Sequence, residues 1–376
     1  MRYHADPFAR SVATSVLACT PAGGGWDVTL TDTVLYPEGG GQPDDHGTVA
    51  GQRVLGLRKE GGAVVHRLAA PVEGAVTVEV DWARRFDHMQ QHSGQHLLSA
   101  IAHDRFGLPT TAFHLGAERC AIEVDGDGEV VADTLSELEA AVNEAIRDDR
   151  PVHVREVTVA EMAALPVRTR GLPEGFVGSV RLVEIAGIDL NTCGGTHVDR
   201  TGRLQAIKLL GVERMKRGTR IPFVAGGRVL GLLGDTLARE AALVRLLSCP
   251  PTEHATSVAR ALDETRAWAK AARALSAELA HAIGGALLPT GDTLRWHRDD
   301  ADPAFLNAVA DAVRARFPEV VCVLTGGVRE GVFLVAGPDA RVAALGPKVA
   351  ATFEGRGGGA RGKFQGKAAR VDRPLD

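Results

Sequence analysis

The stretch Arg84-Arg85-Phe86-Asp87-His88-Met89-Gln90-Gln91-His92-Ser93-Gly94-Gln95-His96-Leu97-Leu98-Ser99-Ala100-Ile101-Ala102-His103 is where the chain changes from a strand pattern to a helical one. Phe86, Met89, Leu97, Ala100 and Ile101 form an apolar stripe at helical spacing, and Gly107-Leu108-Pro109 ends it. His88, His92 and His96 stand four residues apart. Side chains at i and i+4 lie one above the other on a helix, so neighbouring imidazoles of this set can bite one metal ion. Upstream, residues 11–19, 26–31, 47–57, 63–68 and 75–81 read as short strands broken by turns such as Gly23-Gly24-Gly25, which predicts a small β-barrel. Downstream the elements mix, with a helix over 135–147 and strands over 152–159, 176–185 and 204–211, so the fold class is α+β.

Further along, residues 228–247 and 253–283 are two long helical patterns around the breaker Ser248-Cys249-Pro250-Pro251, the second closed by Gly284-Gly285. Leu230, Leu233, Leu237, Val244 and Leu247 on one, with Val258, Leu262, Leu275 and Leu279 on the other, suit an antiparallel helical hairpin. The remainder returns to α/β: a helix over 303–316, strands over 320–325 and 332–336, a helix over 341–353 and a glycine-rich basic tail. The expected domains are a β-barrel at 1–82, an α+β domain carrying the histidine helix at 83–227, a hairpin linker at 228–284 and a C-terminal α/β glycine-rich domain at 285–376. No internal repeat is visible.

The 376 residues suffice for several domains, and 45% hydrophobic with 24% charged residues is ordinary globular usage that excludes a disordered or fibrous chain. No apolar run reaches the length of a membrane span, and the start has no apolar core for a signal peptide, so a cytoplasmic address is expected. Cys19, Cys120, Cys193, Cys249 and Cys322 are odd in number and widely spaced, which argues against a disulfide framework. The net charge of −4 requires any nucleic-acid contact to come from local basic patches.

Ninety-seven residues beyond His96 comes Asn191-Thr192-Cys193-Gly194-Gly195-Thr196-His197, where two glycines between a cysteine and a histidine permit a loop that turns both side chains to one point. A thiolate with imidazoles is a borderline-soft ligand set suited to zinc. A zinc protease of the HExxH type needs a glutamate beside its first histidine, and Ser93 stands there instead. A nucleophilic Cys193–His197 pair is the other alternative, and it leaves the HxxxH helix without a purpose. A third feature, Thr33-Val34-Leu35-Tyr36-Pro37-Glu38-Gly39-Gly40-Gly41-Gln42-Pro43-Asp44-Asp45-His46-Gly47, has successive glycines that either make a wide turn or let backbone approach a ligand.

Taken in order, the glycine-rich loop Tyr36–Gln42, the HxxxH helix and Cys193-Gly-Gly-Thr-His197 resemble the editing domain shared by alanyl-tRNA synthetases and the free-standing AlaX proteins. The likeness covers roughly residues 1–226 and extends more weakly to the tail, which is similar to the glycine-rich C-terminal domain of the synthetase, so the organisation resembles the long form of AlaX. With the barrel starting within about a dozen residues, aminoacylation is not expected. The resemblance implies trans-editing: zinc-dependent hydrolysis of mischarged alanine tRNA, chiefly seryl-tRNA and by extension glycyl-tRNA. It assigns His92, His96, Cys193 and His197 to Zn2+, leaves His88 outside, and places Thr33, Gly39, Gly40, Gly41 and Gln42 at the substrate, with Thr33 sensing the serine hydroxyl. Four protein ligands complete a tetrahedron, so either His197 yields its place or zinc holds the substrate amine while another group orients water. Arg214, Lys216, Arg217 and Arg220, with Arg356, Arg361, Lys363, Lys367 and Arg370 in the tail, are the expected contacts to tRNA phosphates. The rival reading is a non-catalytic tRNA-binding or scaffold protein with a structural zinc, and the hairpin or C-terminal domain is also suited to forming a homodimer.

Overall fold

A short helix, α1 (Arg2–Ala5), leads into seven strands: β1 (Ser11–Ala22), β2 (Gly25–Leu30), β3 (Gly47–Val49), β4 (Gln52–Arg53), β5 (Gly56–Glu60), β6 (Ala63–Leu68) and β7 (Ala75–Val80). They form one antiparallel sheet in the order β4-β3-β7-β1-β2-β6-β5. β1 organises it: Ser11–Ser15 pair with β7, a register shift follows between Val16 and Ala18, and the remainder pairs with β2. Such an irregularity bends a strand, so the sheet curls over Val28, Leu30, Val49, Leu68 and Val78. Among the described residues no ladder joins β4 to β5, so the expected barrel is a curled open sheet. This computed structural model describes residues 1–125, 131–169, 171–172, 176 and 178–372, in two units, Met1–Glu240 and Ala241–Asp376.

The helix α2 (Trp82–Phe106) follows directly. The Asp81 carboxylate caps it by accepting from Arg84 N at 3.2 Å, and Gly107 ends it in the left-handed region at φ 64°. Met89, Leu97, Leu98 and Ile101 are buried against a second sheet and α3 (Ala132–Arg147). β8 (Thr110–Leu115) and β9 (Cys120–Val124) were not anticipated. They continue a sheet ordered β13 (Ile207–Leu209), β15 (Thr219–Ala225), β9, β8, with β14 (Glu213–Arg214) on β15. A three-stranded sheet holds β10 (Val152–Thr158), β11 (Ser179–Ile185) and β12 (Asp189–Thr192), with α4 (Val159–Ala163) after β10. The strand expected over 176–185 thus begins at Ser179, and residue 177 lies outside the described residues.

One ion pair joins α2 to the curled sheet. Arg85 is fully buried and Asp45 is 2% exposed. Arg85 Nε lies 3.1 and 3.0 Å from the two Asp45 oxygens, Nη1 donates to Pro7 O at 3.0 Å and Nη2 to Val34 O and Asp45 Oδ2. Asp45 Oδ2 also accepts from Tyr36 N at 2.6 Å. Burial pushes the Asp45 carboxyl up while Arg85 pulls it down.

α5 (Gly227–Leu247) and α6 (His254–Ala286) match the two long helical patterns, and Leu230, Leu233, Leu237, Val258, Leu262, Leu275 and Leu279 are exposed. α6 runs through Gly284-Gly285 instead of stopping there. A Cβ on Gly284 would meet Val309 O at 2.7 Å, so this glycine serves the close approach of α7 (Pro303–Arg316). In the second unit β16 (Thr293–Arg298) runs parallel to β17 (Val321–Gly326), followed by β18 (Gly331–Ala336), β20 (Lys363–Ala368) and β19 (Arg356–Gly358) in antiparallel order. α8 (Asp339–Thr352) packs on this sheet. The glycine-rich tail therefore forms two strands of this sheet, β20 inside it and β19 at its edge. Among the described residues no helix is long and apolar enough to cross a membrane.

Asp45→Asn leaves a buried guanidinium without a counter-charge and should cost about 3–5 kcal/mol, read as a lower urea midpoint of the first unit. His66 provides a pH signature. Its Nδ1–H donates to Val28 O at 3.2 Å and its Nε2 accepts from the Thr33 hydroxyl at 2.9 Å, so it is held neutral, and burial lowers it to about 4. The unfolded chain therefore binds the extra proton first. Stability is complete above about pH 6.5 and falls towards pH 4 by at most about 1.4 kcal/mol per pH unit from this group. Urea midpoints across that window should show the fall, and His66→Gln should make it shallower.

Candidate metal centre

Two segments deliver the predicted ligands. α2 presents His92 and His96 one turn apart, and the loop after β12 presents Cys193 and His197. Their ligand atoms all lie within 4.8 Å of one another. Cys193 Sγ is 3.3 Å from His92 Nε2 and 3.2 Å from His197 Nε2. His92, His96 and His197 are buried and Cys193 is half-buried.

Each imidazole is anchored by its other nitrogen. His92 Nδ1 meets Gln42 Oε1 at 2.9 Å, His96 Nδ1 meets Asp189 Oδ2 at 3.3 Å, and His197 Nδ1 meets Ser93 Oγ at 3.1 Å. Gln42 Oε1 also accepts from Thr196 N, and Ser93 Oγ from Val198 N. With the three Nδ1 atoms engaged from outside, the Nε2 side of each ring is turned towards the cysteine sulfur, which is the arrangement of metal-ligating histidines. The residues present thus fit a divalent ion. Burial alone would raise the Cys193 thiol, but His92, His197 and His96 outweigh it and hold it well below its ordinary value. Burial also works against charge on His96, yet Cys193 and Asp189 lift it to about 10, while burial takes His197 down to about 3. The donor set thus favours the thiolate form of Cys193.

The loop is fixed from outside. Arg181 Nη1 donates to Cys193 O at 2.7 Å and Gly195 O at 2.8 Å, and the His4 ring donates to Gly194 O at 2.8 Å. A Cβ on Gly195 would lie 2.2 Å from the His92 ring and 2.7 Å from Gln42 Oε1, so only glycine lets the loop close on α2. Gly41, at φ 79°, faces Phe113 in the same way. Gly39 and Gln42 close a tight bridge, and Tyr36 Oη donates to Gly39 O at 2.7 Å.

A cavity of about 390 Å³ opens beside the ligands, lined among others by Gly40, His92, Gln95, His96, Phe113 and Cys193. Of the residues expected at the substrate, Gly40 lines it. Gln42 holds His92 and the loop, and Thr33 lies in the segment after β2, its hydroxyl donating to His66 and accepting from Leu35 N at 3.1 Å. His88 stays outside the ligand set, buried with Nδ1 unpartnered. Of the basic candidates, Lys216, Arg217, Arg356, Arg361 and Lys367 are exposed. Arg214 is exposed too, while Arg220 is held by Glu123 at 2.6 Å, Lys363 by Asp311 at 2.9 Å and Arg370 by Asp372 at 3.0 Å. Sequence reasoning missed Ser93, Asp189, Arg181 and His4. Ser93 sits inside the histidine motif and could have been noticed. The others have no local signal, because their partners are distant in the chain.

Residues 180–221 match the family described as Threonyl and Alanyl tRNA synthetase second additional domain. The chain is 40% identical over 391 residues to Alanyl-tRNA editing protein Aarsd1 of Rattus norvegicus, a match spanning 98% of this chain and 94% of the relative. It is 33% identical to Alanyl-tRNA editing protein AlaX-L of Pyrococcus horikoshii over 62% of this chain and 60% of that one. It is also 30% identical to the Alanine--tRNA ligase of Halorubrum lacusprofundi over 84% of this chain and 36% of the ligase. Matched along nearly its whole length, the chain belongs to the family of AlaX-type alanyl-tRNA editing proteins.

Proposed function

We propose that this protein is a zinc-dependent deacylase that clears mischarged alanine tRNA in trans, with seryl-tRNA as its chief substrate. The observation that carries the reading is the convergence of three imidazole Nε2 atoms and one thiolate at the edge of a cavity, each imidazole anchored through Nδ1. The relatives' names supply the substrate class. Editing of this kind has a physical origin: a pocket built for alanine cannot strongly reject a near-isostere that adds a hydroxyl, so the error is removed in a second site. His92, His96, Cys193 and His197 would hold zinc, which when bound supplies a fixed positive charge to the site.

The chain's own groups do the rest. Gln42, Asp189 and Ser93 fix the ring orientations, and Arg181 and His4 hold the loop carbonyls of Cys193 and Gly194. An aminoacyl ester is already activated, so orientation supplies much of the acceleration needed. Glycyl-tRNA enters the same site without a side chain to recognise. Lys216 and Arg217, with Arg356 and Lys367 facing each other across the β19–β20 ladder, are the cations we assign to tRNA phosphates. The cytoplasm is where such a substrate is met.

Purified protein should release serine from seryl-tRNA while sparing alanyl-tRNA. Loss of neither ester would leave the non-catalytic reading. Elemental analysis should find about one zinc per chain, lost in Cys193→Ala and His96→Ala, whereas full zinc in both variants would remove these ligands from consideration. Gln42→Leu should weaken zinc binding by roughly 10- to 100-fold in a chelator competition, because His92 loses its orienting acceptor. Replacing Arg356 and Lys367 by alanine should flatten the salt dependence of tRNA binding with little change in the saturated rate.

A further inference from the structure

His92, Gln95, His96 and Ser99 occupy positions i, i+3, i+4 and i+7 of α2, so one stripe of the helix carries them all, and all four line the same cavity. Gln95 is the member without an assigned task. It is 5% exposed, its Nε2 donates to Ser99 Oγ at 3.0 Å, and Ser99 Oγ is in turn held by the Thr110 hydroxyl at 2.9 Å. These contacts fix the amide, and its Oε1 is buried without a hydrogen-bond partner. A buried carbonyl oxygen left unpaired carries a desolvation penalty that a ligand donor removes. It sits one residue from a metal ligand, on the wall of the proposed reaction cavity.

We propose that Gln95 is the residue that distinguishes a hydroxyl-bearing aminoacyl group from alanine, its Oε1 accepting the side-chain hydroxyl proton. This rests on the deacylase reading above. The chemistry of the acceptor selects the donor. A neutral amide oxygen with no partner of its own matches the proton of a hydroxyl, whereas an ammonium brings three protons and a full charge that would need several acceptors. Alanine has a methyl at that place and leaves the oxygen unpaired. Cleavage of alanyl ester then retains the penalty that the serine hydroxyl relieves, giving a preference of roughly 5- to 150-fold. Thr33 is not in the lining of this cavity, and its hydroxyl already donates to His66 and accepts from Leu35 N.

The test is the ratio of kcat/KM on seryl-tRNA to that on alanyl-tRNA, measured for the zinc-loaded full chain. Gln95→Leu removes both polar ends of the amide, and Gln95→Met keeps its length. The ratio should fall by roughly 5- to 150-fold in both, with zinc content and melting temperature near those of the unaltered protein. A ratio unchanged within about twofold in a folded, zinc-loaded variant overturns the assignment. An equal loss on both substrates also overturns it, because it would show a contact to a part of the substrate common to both. If the leucine variant does not fold, the methionine variant is read alone, since the ratio within one protein is independent of how much is active. An unaltered protein that cleaves neither ester overturns the deacylase reading itself, and this proposal with it.

Discussion

A single carboxamide ties the site together. Gln42 reaches out of the glycine-rich loop, accepts from His92 Nδ1 and Thr196 N through one oxygen, and donates to the Thr196 hydroxyl through its nitrogen. The curled sheet, the long helix and the cysteine loop meet at this one side chain, which is completely buried. Buried polar groups hold their geometry only when every donor and acceptor is satisfied, and here satisfying them also turns the His92 lone pair towards the sulfur. The Arg85–Asp45 pair acts one layer further out. It fixes where α2 leaves the sheet, and therefore where the histidine stripe sits relative to Gln42.

The ligands and the supports of the site differ in how they could be read. His92 and His96 lie four apart on a helix that the apolar period of Met89, Leu97 and Ile101 announces, and Cys193 and His197 lie four apart around two glycines. Such short-range patterns are visible in a string of letters. Gln42 meets His92 across 50 residues, Asp189 meets His96 across 93, and Asp45 meets Arg85 across 40. Nothing local marks a glutamine or aspartate as the partner of a residue so far away, so these roles emerged only with the fold. The resemblance places Gln42 at the substrate, and its contacts to His92 and the cysteine loop were not legible beforehand.

The same distinction runs through the architecture. Turns and alternation locate the strands of the first eighty or so residues, but the single strand expected over 47–57 divides into β3, β4 and the start of β5, and closure depends on pairing between β4 and β5, which no pattern encodes. Glycine was the least informative letter. Gly107 ends a helix in the left-handed region, while Gly284, read in the same way, lies inside one because a neighbouring helix presses against it. In the tail, Gly357 and Gly358 belong to β19 and Gly366 to β20, where small residues permit close strand contact.

The distance along the chain between the two halves of the ligand set has a consequence for biosynthesis. On a ribosome, His92 and His96 emerge nearly a hundred residues ahead of Cys193. At about 5–20 residues per second the pair waits roughly 5–20 s before its thiolate partner exists. During that interval the nascent helix offers two neutral imidazoles and no sulfur, a set that discriminates poorly between zinc and other divalent ions of the borderline series. Selectivity therefore arrives with Cys193, after translation has passed the β11–β12 hairpin. With zinc held as proposed, the fold would complete the coordination sphere last, and an ion captured early on the helix would still exchange before the loop closes over it.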